Sequence, residues 1–172
     1  MLRLTILAVA AAAAATGCMM VDNDRAGAGL YAPPLAADAY VAAAASADLF
    51  EIQSSQLALS RSRNPAIRGF AQMMVDEHGG LTRQLFGAAS TAGIAPAGRR
   101  LFPEHADMLE RLAKSTDFDR AYAREQALAH DAAFWLHRRY ARRGDVPALR
   151  SAAAAAIPVI QRHRSIVMSW RR

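Results

Sequence analysis

The sequence predicts an all-α protein: an up-and-down four-helix bundle with one additional short helix. Three observations carry this. From residue 36 onward no stretch alternates polar and apolar residues with the period of two that a half-buried strand requires. Asn64-Pro65, the Pro- and Gly-containing stretch from Gly93 to Pro103, and Gly144 to Pro147 divide this region into long segments rich in Ala, a good helix former. Within the later segments, apolar residues recur at helical spacing.

The elements follow in order. Ala36 to Arg63 holds neither Pro nor Gly and reads as the first helix. Asn64-Pro65 supplies an N-cap followed by proline at the first helical position, so a second helix starts there and runs to about Ala92, with Gly93 closing it. The stretch from Gly93 to Pro103 reads as a loop, and Glu104 to Lys114 as a short helix. Asp117 or Asp119 is the expected cap of the next long helix, which ends at Arg143 before Gly144. Asp145 is the expected cap of the last helix, with Pro147 in its first turn and Pro158 inside it.

At about 100° per residue, Phe70, Met74, Leu81, Leu85 and Ala88 share one arc of the second helix, with His78 at its edge. Phe118, Tyr122, Ala129, Ala133, Leu136 and Tyr140 share a stripe on the third long helix. Glu125 lies on its margin, and His130 lies further off to the other side. On the last helix, His163 falls within the stripe Leu149, Ala156, Ile160 and Val167. The first helix shows no clear stripe. Its apolar face is broad, and Glu51 points away from it toward Ala44, Ala47 and Ala58, a small-residue side that either packs on a neighbour or faces water.

The first residues have a different layout. Arg3 precedes the apolar run 4–15, and Thr16-Gly17 precede Cys18, the single cysteine. The run is shorter than the ~20 residues a transmembrane helix needs, and the pattern is that of an export signal. With a lone cysteine at the cut, it resembles a bacterial lipoprotein signal, which implies cleavage after residue 17 and lipidation of Cys18. Cleavage near Ala15 without lipidation is the rival reading. Residues 18–37, with Pro33-Pro34, Gly27 and Gly29, read as a flexible tether, and 38–172 as the bundle domain. The expected location is the cell envelope: an outer-membrane lipoprotein facing the periplasm, or a periplasmic protein. One cysteine leaves no internal disulfide, so the core alone must stabilise the domain.

The formal net charge is +6, carried by arginine, since Lys114 is the single lysine. In an exported protein, anionic lipid or polysaccharide is the fitting partner and nucleic acid is not. Arg138, Arg139, Arg142 and Arg143 are candidates for contact with an anionic envelope surface, although cations at a helix C-terminus also simply complement its dipole.

The order Phe50-Glu51-Ile52, Leu57-Ala58, Asn64-Pro65, Phe70 to His78, then Phe118 to Tyr122, His130, Pro147 to Arg150 and Ile157 to His163 resembles the family called domain of unknown function 4142, often labelled as outer-membrane proteins. The resemblance covers about residues 38–170. It implies a ferritin-like bundle, exported or periplasmic, with no established activity, and it marks Glu51, His78, His130 and His163.

Those histidines come from three helices and could converge. Imidazoles suit zinc, copper, iron and nickel, and three of them leave a coordination position open. The candidate metal set is therefore His78, His130, His163 and Glu51, for a transition metal such as zinc. Glu125 is a second acidic candidate, and Asp76, Glu77 and Asp131 are candidate partners for the rings. Di-iron bundles carry Glu-x-x-His; here Val75, Ala127 and Ile160 stand three before the histidines, which speaks against a di-iron centre. The alternative is that the histidines are buried polar contacts between helices. His105 and His137 are expected at the surface. No nucleophile-base arrangement, phosphate loop or carboxylate pair points to an enzyme. Two functions stay open: a non-catalytic, lipid-anchored envelope protein with a binding or stress-related role, or a mononuclear metal-binding protein using histidines from three helices.

Overall fold

The structure, a computed structural model, describes residues 35–95, 98 and 100–170. The expected signal, Cys18 and most of the tether lie outside those residues. Five helices follow one another: α1 (Ala37–Arg61), α2 (Pro65–Thr91), α3 (Pro103–Lys114), α4 (Phe118–Arg143) and α5 (Pro147–Ser169). None of them is long and apolar enough to cross a membrane.

Local chemistry sets most of the boundaries. Asn64 Oδ1 accepts the Ala66 N–H at 2.9 Å, with Pro65 at the first helical position of α2. Gly93, at φ +71°, ends α2 in the left-handed conformation that glycine adopts without strain, and Ile94 N–H closes back onto the Ala89 carbonyl. Two expected caps are not made. Asp117 flanks α4 but its side chain caps nothing. Asp145 is used elsewhere: its carboxylate accepts the Tyr140 hydroxyl and the Ala37 N–H, so it ties the α4–α5 turn to the start of α1. Val146 flanks α5 instead.

The pairs α1/α2 and α4/α5 form two hairpins packed side by side, α1 against α4 and α2 against α5. The long connection through α3 carries the chain back along the bundle before α4 begins. As a result α2 and α4 run in one direction and α1 and α5 in the other. Arg61 anchors the connection by donating to the carbonyls of Ala113 and Ser115 at the end of α3.

Packing occurs in layers. At one end Phe70, Met74, Leu112, Phe118, Tyr122 and Val167 form a cluster. At the other end Tyr40, Leu85, Tyr140, Leu149 and Ala153 form a second, in which Tyr40 and Tyr140 stack with centroids 3.8 Å apart. Between them lies a thin layer of Leu81, Ala133, Ala156 and Ile160. Each fully buried large side chain contributes about 1.5–3 kcal/mol. A truncation such as Met74→Ala, at a residue with no exposed surface, costs about 2–5 kcal/mol. On α1 the small-residue side packs inward: Ala44, Ala47 and Ala58 are buried, and Asp48, Glu51, Ser54 and Ser55 are buried with them.

Candidate metal centre

The layer between Met74 and Leu81 on α2 is polar. There α2, α4 and α5 contribute His78, His130 and His163, at 2%, 1% and 0% exposure. One ring nitrogen from each lies within 4.8 Å of the others. The ring centroids are 5.3 to 5.7 Å apart, and Phe70 covers the group on the side of the first cluster, 6.2 Å from His130 and 6.1 Å from His163.

Each ring has one nitrogen engaged and one without a partner. His78 Nδ1 lies 2.9 Å from Asp48 Oδ1, and the other oxygen of Asp48 accepts the Thr82 hydroxyl at 2.9 Å. His163 Nε2 lies 2.7 Å from Glu77 Oε2, and Arg162 also donates to that oxygen. His130 Nδ1 lies 2.8 Å from the Gln126 carbonyl. A carbonyl and an ionised carboxylate only accept, so the engaged nitrogens carry the protons. In each neutral ring the lone pair is then on the other nitrogen: Nε2 of His78, Nε2 of His130 and Nδ1 of His163. These three atoms are buried and have no hydrogen-bond partner among the described residues. An unpartnered buried acceptor is costly. Three on neighbouring rings, each with its opposite nitrogen held, make a group that could hold a metal ion.

The electrostatics differ from ring to ring. Burial, and then the charge of His78, push His130 down to about 3. Burial, and then His78, likewise bring His163 down to about 4, against the hydrogen bond it donates to Glu77. Burial also opposes the charged form of His78, but the hydrogen bond and charge of Asp48 outweigh it and hold that ring above its usual value. Glu77 is held below the carboxylate range: its burial is outweighed by His163 and Arg162.

Glu51 is brought to the layer but at a different atom. Its Oε1 lies 3.4 Å from His130 Nδ1, the nitrogen whose proton already goes to Gln126. Both of its oxygens are buried without a hydrogen bond that meets normal geometry, and burial pushes the carboxyl up to about 8, partly offset by His78. The group of three that can reach one ion does not include it. Glu125 is turned away and pairs with Arg124 and Arg111. Of the candidate ring partners, Glu77 serves His163, while Asp76 takes Gln72 and Asp131 pairs with Arg164.

Asp48 was absent from the candidates. Its signal is its spacing: it stands three before Glu51, and so on the same face of α1. The two histidines expected at the surface are not there. His137 is 5% exposed, bonded through Nδ1 to the Tyr40 hydroxyl at 2.9 Å. It stands three before Tyr140, within reach of the buried stripe, and its arginine neighbours point outward. His105 is half-buried, stacked on Phe50 and bonded to Ser46 Oγ at 2.7 Å. Ser46 also accepts the Phe102 N–H, so a buried α1 serine holds the start of α3.

Among solved structures the chain is similar to CopM in the Cu(II)-bound form, at 13% identity and a TM-score of 0.68, covering 80% of this chain and 96% of that one. That likeness is one of fold. No curated protein matches the chain. The family model described as domain of unknown function (DUF4142) matches residues 25–169, and the chain belongs to that family.

Proposed function

We propose that this protein binds a single transition-metal ion through His78 Nε2, His130 Nε2 and His163 Nδ1. Two observations carry this: one ring nitrogen from each of three buried histidines lies within 4.8 Å of the others, and each ring has one nitrogen engaged and one without a partner. Three imidazoles without thiolate suit copper(II) or zinc, ligating as neutral rings with any proton on the ligating nitrogens released on binding, and for a given site copper binds the more tightly of the two. Tetrahedral ligation at about 2.0–2.1 Å places the nitrogens about 3.3 Å apart, so rotations of the side chains close the set onto the ion. Copper is therefore the first ion to test, and the copper-bound state of the fold relative supports the choice. Glu77, Asp48 and the Gln126 carbonyl orient the rings and raise their basicity.

The compartment is part of the proposal. The signal-like run and the lone Cys18 support an envelope protein, anchored by lipid on that cysteine and facing the periplasm. Metabolic labelling with a fatty acid tests it: the label is expected in the parent and absent from Cys18→Ser.

The metal site is tested by titrating the full chain with Cu(II) and, separately, with Zn(II), following heat and stoichiometry. One ion per chain is expected, with Cu(II) displacing Zn(II). Binding that survives replacement of all three histidines by Gln would overturn the assignment.

A further inference from the structure

We propose that the outer face of α4 rests on an anionic phospholipid surface, holding the bundle against the membrane in which the proposed Cys18 anchor sits. The inference rests on that envelope reading for its setting, and on the following observations for its content.

Leu128 and Trp135 are the large apolar side chains left exposed among the described residues, at 55% and 41%. They stand seven residues apart on one helix, and so share one face of α4. Ala132 lies exposed between them. The same face continues into arginine: Arg138, Arg139 and Arg142 are exposed, and Arg143 beside them is half-buried. The guanidinium of Arg138 lies over the Trp135 ring, 5.1 Å from its centroid, and 5.8 Å from that of Phe134. Arg164, reaching over from α5, lies 5.9 Å from Phe134. Charge and apolar surface thus form one patch rather than two. Asp131 is the acid on this stripe, and Arg164 pairs with it.

Such a face matches the headgroup boundary of a bilayer. Tryptophan is favoured there, because the ring is apolar while its N–H stays wet. Arginines beside it meet lipid phosphates.

The topology gives the face its direction. The arginine end of α4 is the end at which α1 begins, because Ala37 N–H binds Asp145 in the α4–α5 turn and Tyr40 stacks on Tyr140. Whatever precedes α1 therefore joins the bundle beside the arginines. An N-terminal lipid anchor would bring this end of the domain to the bilayer first, and the Leu128–Trp135 stripe would follow as α4 lies down.

The chain has two tryptophans, so Trp170→Phe leaves Trp135 as the sole emitter. The full chain carrying that change is mixed with vesicles of phosphatidylcholine, or of phosphatidylcholine with phosphatidylglycerol, each with and without brominated acyl chains. Flotation of the vesicles reports attachment of the chain, and Trp135 emission reports the face. The expected result is a blue shift and bromine quenching in the anionic vesicles only, weakened by salt and lost in Arg138→Gln/Arg142→Gln. A chain that floats while Trp135 stays unquenched in anionic vesicles overturns the inference and leaves the anchor standing. Quenching in anionic vesicles without flotation on neutral ones upholds the face and removes the anchor. A blue shift that needs no vesicles and grows with protein concentration assigns the face to a second copy of the chain, and overturns the inference.

Discussion

Asp48 Oδ1 accepts the Nδ1 proton of His78 at 2.9 Å, and by doing so leaves Nε2 of that ring as the bare nitrogen inside the bundle. Asp48 is itself fixed by the Thr82 hydroxyl. A residue on α1 thus decides what a residue on α2 can ligate. Replacing Asp48 by Ala frees the ring to take the other tautomer and to turn. Metal affinity is expected to fall about 10–100-fold, with one ion still bound per chain at saturation, as read by isothermal titration calorimetry. Unchanged affinity would mean that the ring needs no such support.

Glu51 distinguishes a ligand from a neighbour. Its oxygen lies 3.4 Å from the protonated nitrogen of His130, not beside the bare one. Glu51→Gln keeps the shape and removes the ionisable group. The expected outcome is an unchanged stoichiometry and an affinity within about tenfold of the parent. Complete loss of metal in this variant would place the carboxylate on the ion.

His137 sets a pH dependence away from the ligands. It is buried against Tyr40, and the charged groups acting on it are Asp48, which favours its protonation, and His78, which opposes it. Burial is the larger effect and brings it down to about 4. Its folded value lies below the unfolded value of ~6.5, so between the two the unfolded chain holds more protons and stability rises with pH. The contribution is fully present above ~6.5 and is lost as pH falls toward 4, by up to about 3 kcal/mol. His130 and His163 act in the same direction over this range, so the His137 share is the difference between the parent and His137→Gln in denaturant unfolding of the metal-free chain at a series of pH values, and the variant's curve is expected to be the flatter of the two.

Gly144 is a steric prediction. A Cβ there would stand 2.5 Å from the Tyr140 ring, which is held by its stack on Tyr40 and its bond to Asp145. Gly144→Ala is therefore expected to cost about 1–3 kcal/mol. Equilibrium unfolding checks it, and no loss would mean that the ring moves aside freely.

The helices of the second half were legible because each buries one side only. On α2, α4 and α5 the stripes through Phe70, Tyr122 and Ile160 have polar residues opposite them, and that contrast is the signal. The first helix lacks it. α1 is covered by α2, α3 and α4, so small Ala and Ser residues are spread over several of its sides without a polar face opposite, and Asp48 looked like any solvated acid. His137 was obscured by Arg138 and Arg139, which share its sequence neighbourhood but face outward. The caps failed for another reason. Asp145 fits an N-cap by sequence, yet the Tyr140 hydroxyl and Ala37 N–H are contacts brought by the fold, and local spacing does not encode them. The three histidines were identifiable as a group. That each would have its opposite nitrogen engaged depends on partners from α1, from the residue before His78, and from a backbone carbonyl, which no spacing rule joins.

The most direct test of the central claim is elemental analysis of the purified full chain beside a variant with His78, His130 and His163 all changed to Gln. The account predicts near-stoichiometric copper or zinc in the parent after exposure to the metal and dialysis, and none in the variant. No retained metal in the parent, or equal retention in both, would contradict it and leave the three histidines as polar contacts between helices.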